Sequence, residues 1–177
     1  MAASVGSELK LGINGLGRIG KLTLWHHAAR KFFGEIVVNL GRKAGTSLSD
    51  VAHYIERDST YGWLHGYLYG HQARSVVTDI DEAKGRLRID GLPVRFLRET
   101  RNPAEIGWAE HGVRLVVDAS GQFLDPSAGP DAVRGSVRGH LAAGAEKVVV
   151  SAPFKLKDKA APMPADIITT VMGVNGN

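Results

Sequence analysis

Three glycines, Gly15, Gly17 and Gly20, stand in the run Gly15-Leu16-Gly17-Arg18-Ile19-Gly20, with an apolar stretch from Leu9 to Ile13 before it and an amphipathic stretch after it. Strand, glycine-rich turn and helix in that order open a dinucleotide-binding βαβ unit, where each glycine has its own task. Gly15 permits the tight turn, Gly17 lets the backbone approach a pyrophosphate with no Cβ in the way, and Gly20 lets the helix pack closely on its strand. The phosphates would sit on free backbone N–H groups at a helix N-terminus, where the dipole favours negative charge. With Lys21 the same residues also match P-loop spacing, but that loop needs Ser or Thr next to coordinate Mg²⁺, and the chain has Leu22. A glycine-rich turn without a ligand is the remaining alternative.

A dinucleotide site also carries an acidic residue for the adenosine ribose, about twenty residues after the last glycine at the end of the second strand. Glu35 to Leu40 reads as that strand, a short run without alternation because both faces would be covered. It leads into Asn39, Leu40, Gly41, Arg42 and Lys43, and no carboxylate is among them. A carboxylate there accepts from both ribose hydroxyls and repels a 2′-phosphate. Leu40 does neither, and Arg42 and Lys43 follow, so the cofactor is expected to be NAD or NADP, with NADP tolerated or preferred. Both bases as solvated loop residues is the competing expectation. His26 and His27 are adjacent on a helix, point about 100° apart, and cannot chelate one metal together. No metal site is expected.

The elements that must position these residues follow from periodicity. Ile19, Leu22, Trp25, Ala29 and Phe32 predict an apolar stripe on a helix from Arg18 to Phe33, stopped by Gly34. Ser47-Leu48-Ser49-Asp50 opens a short helix through Ile55 with a serine N-cap, and Asp58-Ser59-Thr60-Tyr61-Gly62 is a turn. Ser75 to Asp79, Arg86 to Asp90 and Val94 to Arg98 read as strands joined at Lys84-Gly85 and Asp90-Gly91, an inserted antiparallel region. Asn102-Pro103 ends it, and Ile106 and Trp108 anchor the return to the core. Val113 to Asp118 is a buried strand, and Asp125 to Pro130 a loop. Asp131 to Ala143 is expected as a helix on Val133, Val137 and Leu141, closing at Gly144. Lys147 to Val150 is a strand, Lys155 to Lys159 a solvated loop, and Ile167 to Met172 a last strand. The fold class expected is α/β, a Rossmann-like doubly wound, mostly parallel sheet with an inserted antiparallel hairpin region.

Composition sets the outer bounds. A chain of 177 residues with 44% hydrophobic and 23% charged residues fits one globular domain, residues 1–177. The absence of cysteine removes disulfides and thiolate metal sites. With no signal-like N-terminus and no long apolar run, a cytoplasmic location without membrane association is expected. A net charge of +4 from scattered bases fits an anionic small ligand and shows no nucleic-acid motif.

With these pieces in order, the chain resembles the amino-terminal, coenzyme-binding domain of phosphorylating glyceraldehyde-3-phosphate dehydrogenase. The resemblance runs from Leu11 to Asn175 and rests on Gly12 to Gly20, Asp58 to Gly62, Arg101-Asn102-Pro103 with Trp108, Ser151-Ala152-Pro153, and Val171 to Asn175. It implies that the loop holding Asn14 and Gly15 leads into a pyrophosphate site on the backbone of Gly17, Arg18 and Ile19. It places Asn39 beside the adenosine, Arg101 at the adenine pocket, and Ser120, Gly121, Phe123, Ser151 and Ala152 around the nicotinamide side. Without the resemblance, Ser120 and Ser151 read as ordinary strand-end turn residues. The chain departs from the family pattern at Leu40 in place of the ribose carboxylate, at Ala119-Ser120-Gly121 in place of Ser-Thr-Gly, and by one extra residue around Glu99-Thr100-Arg101. The stretch from Phe154 to Ile167 is also longer than the usual connection.

The family's nucleophilic cysteine, its histidine partner and its phosphate sites belong to a catalytic domain expected to lie outside this chain. No catalytic residue is therefore assigned within it. The resemblance implies the nicotinamide-dinucleotide-binding half of an aldehyde-oxidising, phosphorylating dehydrogenase. Its expected partners are the dinucleotide, the catalytic domain in cis or in trans, and further copies in a homo-oligomeric full enzyme. Two alternatives are an erythrose-4-phosphate dehydrogenase half and a stand-alone or inactive nucleotide-binding module with a regulatory or partner-binding role.

Overall fold

The computed structural model describes residues 8–41, 45–72, 74–98, 100–171 and 174–175. The chain forms β1 (Lys10–Asn14), α1 (Arg18–Arg30) and β2 (Glu35–Asn39), then α2 (Leu48–Glu56), a small hairpin of β3 (Arg57–Asp58) and β4 (Gly62–Trp63), and α3 (Leu64–Tyr69). β5 (Val77–Asp81), β6 (Arg86–Ile89) and β7 (Leu92–Leu97) follow, and then β8 (Leu115–Asp118), α4 (Val137–Ala142) and β9 (Lys147–Val150). Seven strands make one sheet of order β5-β6-β7-β2-β1-β8-β9, while β3 and β4 pair apart from it as an inserted antiparallel hairpin. β7, β2, β1, β8 and β9 pair in parallel, and only β6 runs against the others. The fold is Rossmann-like and doubly wound. From β1 the chain winds to β2 on one side and later to β8 on the other, so the carboxyl end of β1 is a topological switch point, where such sheets open a crevice.

Alternation along the strands covers both faces of the sheet. Leu11, Ile13, Ile36 and Val38 pack with Leu24, Trp25 and Ala28 of α1 and with Val51 and Ile55 of α2 in the larger core cluster. Val37 and Val116 point the other way, to Ile106, Trp108, Val113 and Ala143. Asp90-Gly91 makes the two-residue turn between β6 and β7, both with positive φ, 50° and 82°, the conformation that Asp-Gly favours. Ser47 caps α2 in a reciprocal capping box with Asp50. The Thr46 and Ser47 groups bonded to the Asp50 carboxylate, backbone Ser47 first, lower its pKa to about 2.

Several expectations need correction. α1 ends at Arg30, where Lys31 takes the left-handed conformation, so Lys31 and not Gly34 stops it. Its buried face is Gly20, Lys21, Leu24, Trp25 and Ala28, whereas Ile19 and Phe32 are exposed. Lys21 is buried because its ammonium bonds the Arg57 carbonyl and the Asp58 carboxylate, a pairing that periodicity alone does not anticipate. The helix expected from Asp131 is only Val137–Ala142, capped by Ser136, because Gly135 has a φ of 78° and interrupts any earlier turn; Val133 is almost fully exposed. Residues 167–171 form no strand, and Met172 lies outside the described residues. The first strand of the antiparallel region is shifted to Val77–Asp81, and α3 was not anticipated because its six residues are too few for a periodic signal.

Candidate functional site

The glycine-rich turn leaves β1 at its carboxyl end. Gly15 takes a φ of 91° and donates its N–H to the Asn39 carbonyl at 2.9 Å, so the turn is tied to the end of β2. A Cβ on Gly20 would stand 2.0 Å from the Gly15 carbonyl oxygen, which is why helix and turn can close on each other only with glycine there. Gly17 is the N-cap of α1, and no side chain caps the helix; its first turn holds no acidic residue. A Cβ on Gly17 would meet no atom of the described residues within 4 Å, its chain neighbours aside. That position faces open space beside free N–H groups, so glycine is not required there by the protein's own packing.

In front of this turn lies a cleft of about 340 Å³ lined by Asn14, Gly15, Leu16, Gly17, Leu40, Gly41, Arg101, Ala119, Ser120, Gln122 and Phe123. The lining contains one base and no carboxylate. It draws on the ends of β1, β2 and β8, together with the Arg101 segment that follows β7. Of the residues singled out from the sequence, the fold brings Asn14, Gly15, Gly17, Leu40, Arg101, Ser120 and Phe123 to this cleft. Arg18 and Ile19 form the first turn of α1 beside it. Gly121, Ser151 and Ala152 are not among its lining, and Arg42 and Lys43 lie outside the described residues. Arg101 is held in place by donating from Nε to the Gly41 carbonyl at 2.8 Å, which sets its guanidinium at the end of β2 beside Leu40.

Beneath the cleft runs a buried polar chain. Asn39 is 1% exposed and donates from Nδ2 to Asn14 Oδ1 at 2.9 Å and to the Thr100 carbonyl at 3.1 Å; its Oδ1 meets no donor among the described residues. Asn14 in turn donates to Asp118 Oδ2 at 3.0 Å. Asp118 Oδ1 accepts from the Ser120 N–H at 2.9 Å and from the Ser120 hydroxyl at 2.6 Å. His140 Nε2 lies 2.8 Å from Asp118 Oδ2, and Trp108 Nε1 lies 2.9 Å from His140 Nδ1. Burial pushes the Asp118 carboxyl up, but the hydrogen bonds from His140, Ser120 and Asn14 outweigh it and leave the group below the usual carboxylate range. The sequence reading missed Asp118, His140 and Trp108 as parts of the site. The signal available was a carboxylate ending a buried strand two residues before Ser120; the histidine and tryptophan are too distant in sequence to be associated with it.

No cluster of three or more potential metal ligands occurs among the described residues. His26 is exposed, and burial first, then the charges of His26 and Arg30, keep the His27 imidazole below its ordinary pKa. No helix among the described residues is long and apolar enough to cross a membrane.

The comparisons agree with this geometry. Residues 9–126 match the family model described as glyceraldehyde 3-phosphate dehydrogenase, NAD binding domain. Glyceraldehyde-3-phosphate dehydrogenase B, chloroplastic, from Pisum sativum is 32% identical over 171 residues, which cover 96% of this chain and 31% of that protein. The glyceraldehyde-3-phosphate dehydrogenase of Heyndrickxia coagulans is 34% identical over 167 residues, covering 94% of this chain and 40% of its own length. That of Treponema pallidum is 32% identical over 167 residues, with 94% and 41% covered. The chain spans about a third to two-fifths of the length of these curated relatives. A glycine turn at the switch point, an uncapped helix end and a match spanning the whole β1 to β8 framework converge on one conclusion: the chain belongs to the glyceraldehyde-3-phosphate dehydrogenase family, as its NAD-binding domain, a module whose cofactor is NAD or NADP.

Proposed function

We propose that this chain is the nicotinamide-dinucleotide-binding half of a glyceraldehyde-3-phosphate dehydrogenase-like oxidoreductase, which would convert an aldehyde to an acyl phosphate. The observation that carries the reading is the cleft at the uncapped N-terminus of α1, lined by glycine backbone and Arg101 and by no carboxylate. A pyrophosphate fits such a surface, because the open space at Gly17 admits it to backbone N–H groups and the dipole of α1 favours its charge. Gly17, Arg18 and Ile19 would hold the pyrophosphate, with Leu40, Gly41 and Arg101 along the adenosine end and Ser120 and Phe123 on the opposite wall. Ser151, Ala152 and Gly121 would complete the nicotinamide side in the full enzyme. When bound, the cofactor supplies a hydride acceptor. The chain's own residues bind and orient it.

A family-type reaction also needs a thiolate to add to the aldehyde, and this chain contains no cysteine. Binding is therefore separable from turnover. Titrating the chain with NAD and with NADP by calorimetry should give saturable one-to-one binding. An absorbance assay for reduced cofactor, with glyceraldehyde 3-phosphate and inorganic phosphate, should show none unless a catalytic domain is supplied. A chain that binds neither dinucleotide, or one that turns over alone, would overturn the reading.

A further inference from the structure

The buried chain under the cleft has a direction that its chemistry fixes. Trp108 Nε1 can only donate, so His140 Nδ1, 2.9 Å away, must be the bare, accepting nitrogen. The ring proton is then on Nε2 and points at Asp118 Oδ2, 2.8 Å away. The 3.5 Å approach of Asn14 Nδ2 to the same nitrogen is a contact between two donors and no hydrogen bond. Asp118, 1% exposed, thereby receives four donors, two on each oxygen: His140 and Asn14 on Oδ2, and the Ser120 N–H and hydroxyl on Oδ1. An ionised carboxylate accepts only, so the Ser120 hydroxyl proton lies toward Asp118. Its oxygen also accepts from the Gln122 N–H at 3.2 Å, which leaves one lone pair for anything in the cleft. His140 further meets the cleft residue Phe123 edge-on, with ring centroids 6.3 Å apart.

We propose that His140 is a positioning residue of the dinucleotide cleft: held as its Nε2–H tautomer by Trp108, it anchors Asp118, which accepts the hydrogen bond of the Ser120 hydroxyl and so presents Ser120 Oγ as a pure acceptor. The proposal rests on the dinucleotide reading of the cleft and names what that wall selects. Ser120 accepts a hydrogen bond from a ligand donor, a ribose hydroxyl or an amino group, and offers nothing to a phosphate oxygen. The anionic part of the ligand is thus directed to the α1 end and to Arg101, and its donor-bearing part to Ser120.

The test combines a nitrogen-15 spectrum of the histidines, thermal melts, and calorimetric titration of the 177-residue chain with NAD. At neutral pH His140 should appear with Nε2 protonated and Nδ1 bare; the opposite tautomer or a doubly protonated ring overturns the proposal whether or not NAD binds. Ser120→Ala should weaken NAD about tenfold, the loss of one hydrogen bond. His140→Phe should weaken it to a similar extent and add nothing in the Ser120→Ala background, because both act through one hydroxyl. His140→Gln, which keeps an acceptor and a donor, should recover most of the affinity. Variants of His140 that melt lower yet bind NAD as the wild type does, or losses at His140 and Ser120 that multiply, sink the proposal. If the wild type binds neither NAD nor NADP, the cofactor reading falls by itself, and the imidazole spectrum then decides for or against the tautomer that the proposal requires.

Discussion

At the scale of single residues, the end of β2 is where the proposed site would choose between dinucleotides. Leu40 is 4% exposed and uncharged where a ribose-binding carboxylate would stand, so neither the ribose hydroxyls nor a 2′-phosphate meet a negative charge there. Arg101, fixed through Nε to the Gly41 carbonyl, lines the cleft, and its terminal nitrogens hydrogen-bond no other described residue. A charge-assisted bond to phosphate contributes roughly 1.5–3 kcal/mol, more than a neutral ribose contact. NADP should therefore bind at least as tightly as NAD, and Arg101→Ala should weaken NADP by about tenfold or more with a smaller effect on NAD. Calorimetry on this variant, and on Arg42→Ala and Lys43→Ala, would show it; a tenfold preference for NAD insensitive to all three would refute it. Asp118 supplies the second prediction at this scale. Its folded pKa lies below the ordinary value near 3.9, so its contribution is complete above that value and is lost as pH falls through the lower folded one. Asp118→Asn should cost about 2–4 kcal/mol at neutral pH, the scale of charged hydrogen bonds in a buried network. Urea melts of the variant should also show a flatter decline below about pH 4. An unchanged decline would mean that Asp118 is not the group responsible.

At the scale of elements, two glycines of one turn make opposite demands. Gly20→Ala would drive a methyl to 2.0 Å from the Gly15 carbonyl and should destabilise the fold by about 1–3 kcal/mol or more, since overpacking displaces backbone and not a flexible side chain. Gly17→Ala meets nothing and should leave the melting temperature nearly unchanged while weakening either dinucleotide. If both variants lose stability alike, the open space at Gly17 is not a ligand space. This turn was legible in the sequence because its spacing is local, as was the Asp90-Gly91 hairpin; the cap of α2 was legible as a serine, and the fold selects Ser47 over Ser49. The face of α1 was read about one position wrong, because Gly20 must face the turn and Lys21 is drawn inward by Asp58, a partner 37 residues away. The short α4 was read too long because Val133 and Val137 happen to be spaced like a helix across Gly135. Of the Trp108–His140–Asp118 chain only the carboxylate at the end of β8 left a local signal, since the three members share no period and meet only when β8, α4 and the segment holding Trp108 pack together.

At the scale of the whole molecule, the sheet ends at β9, where Val149 is half exposed, and Ile168, Val171 and Val174 are exposed beyond it. An open sheet edge and exposed apolar side chains favour association, so sedimentation should show species larger than a monomer as concentration rises, with binding of a hydrophobic dye. A monomer at all concentrations that binds no dye would count against this. The cleft has a different dependence on the whole. Asn14 and Asp118, which hydrogen-bond under its floor, are 104 residues apart, whereas β5, β6 and β7 pair through short local turns. Closing so long a loop carries its entropy cost before any contact returns it, so the local hairpins can form early and β1 can meet β8 only late. A nascent chain would have no cleft until β8 had emerged, and a partly unfolded one would lose it as β1 and β8 parted. A dinucleotide added during refolding should consequently leave the early phases unchanged and slow only the reverse reaction, unfolding.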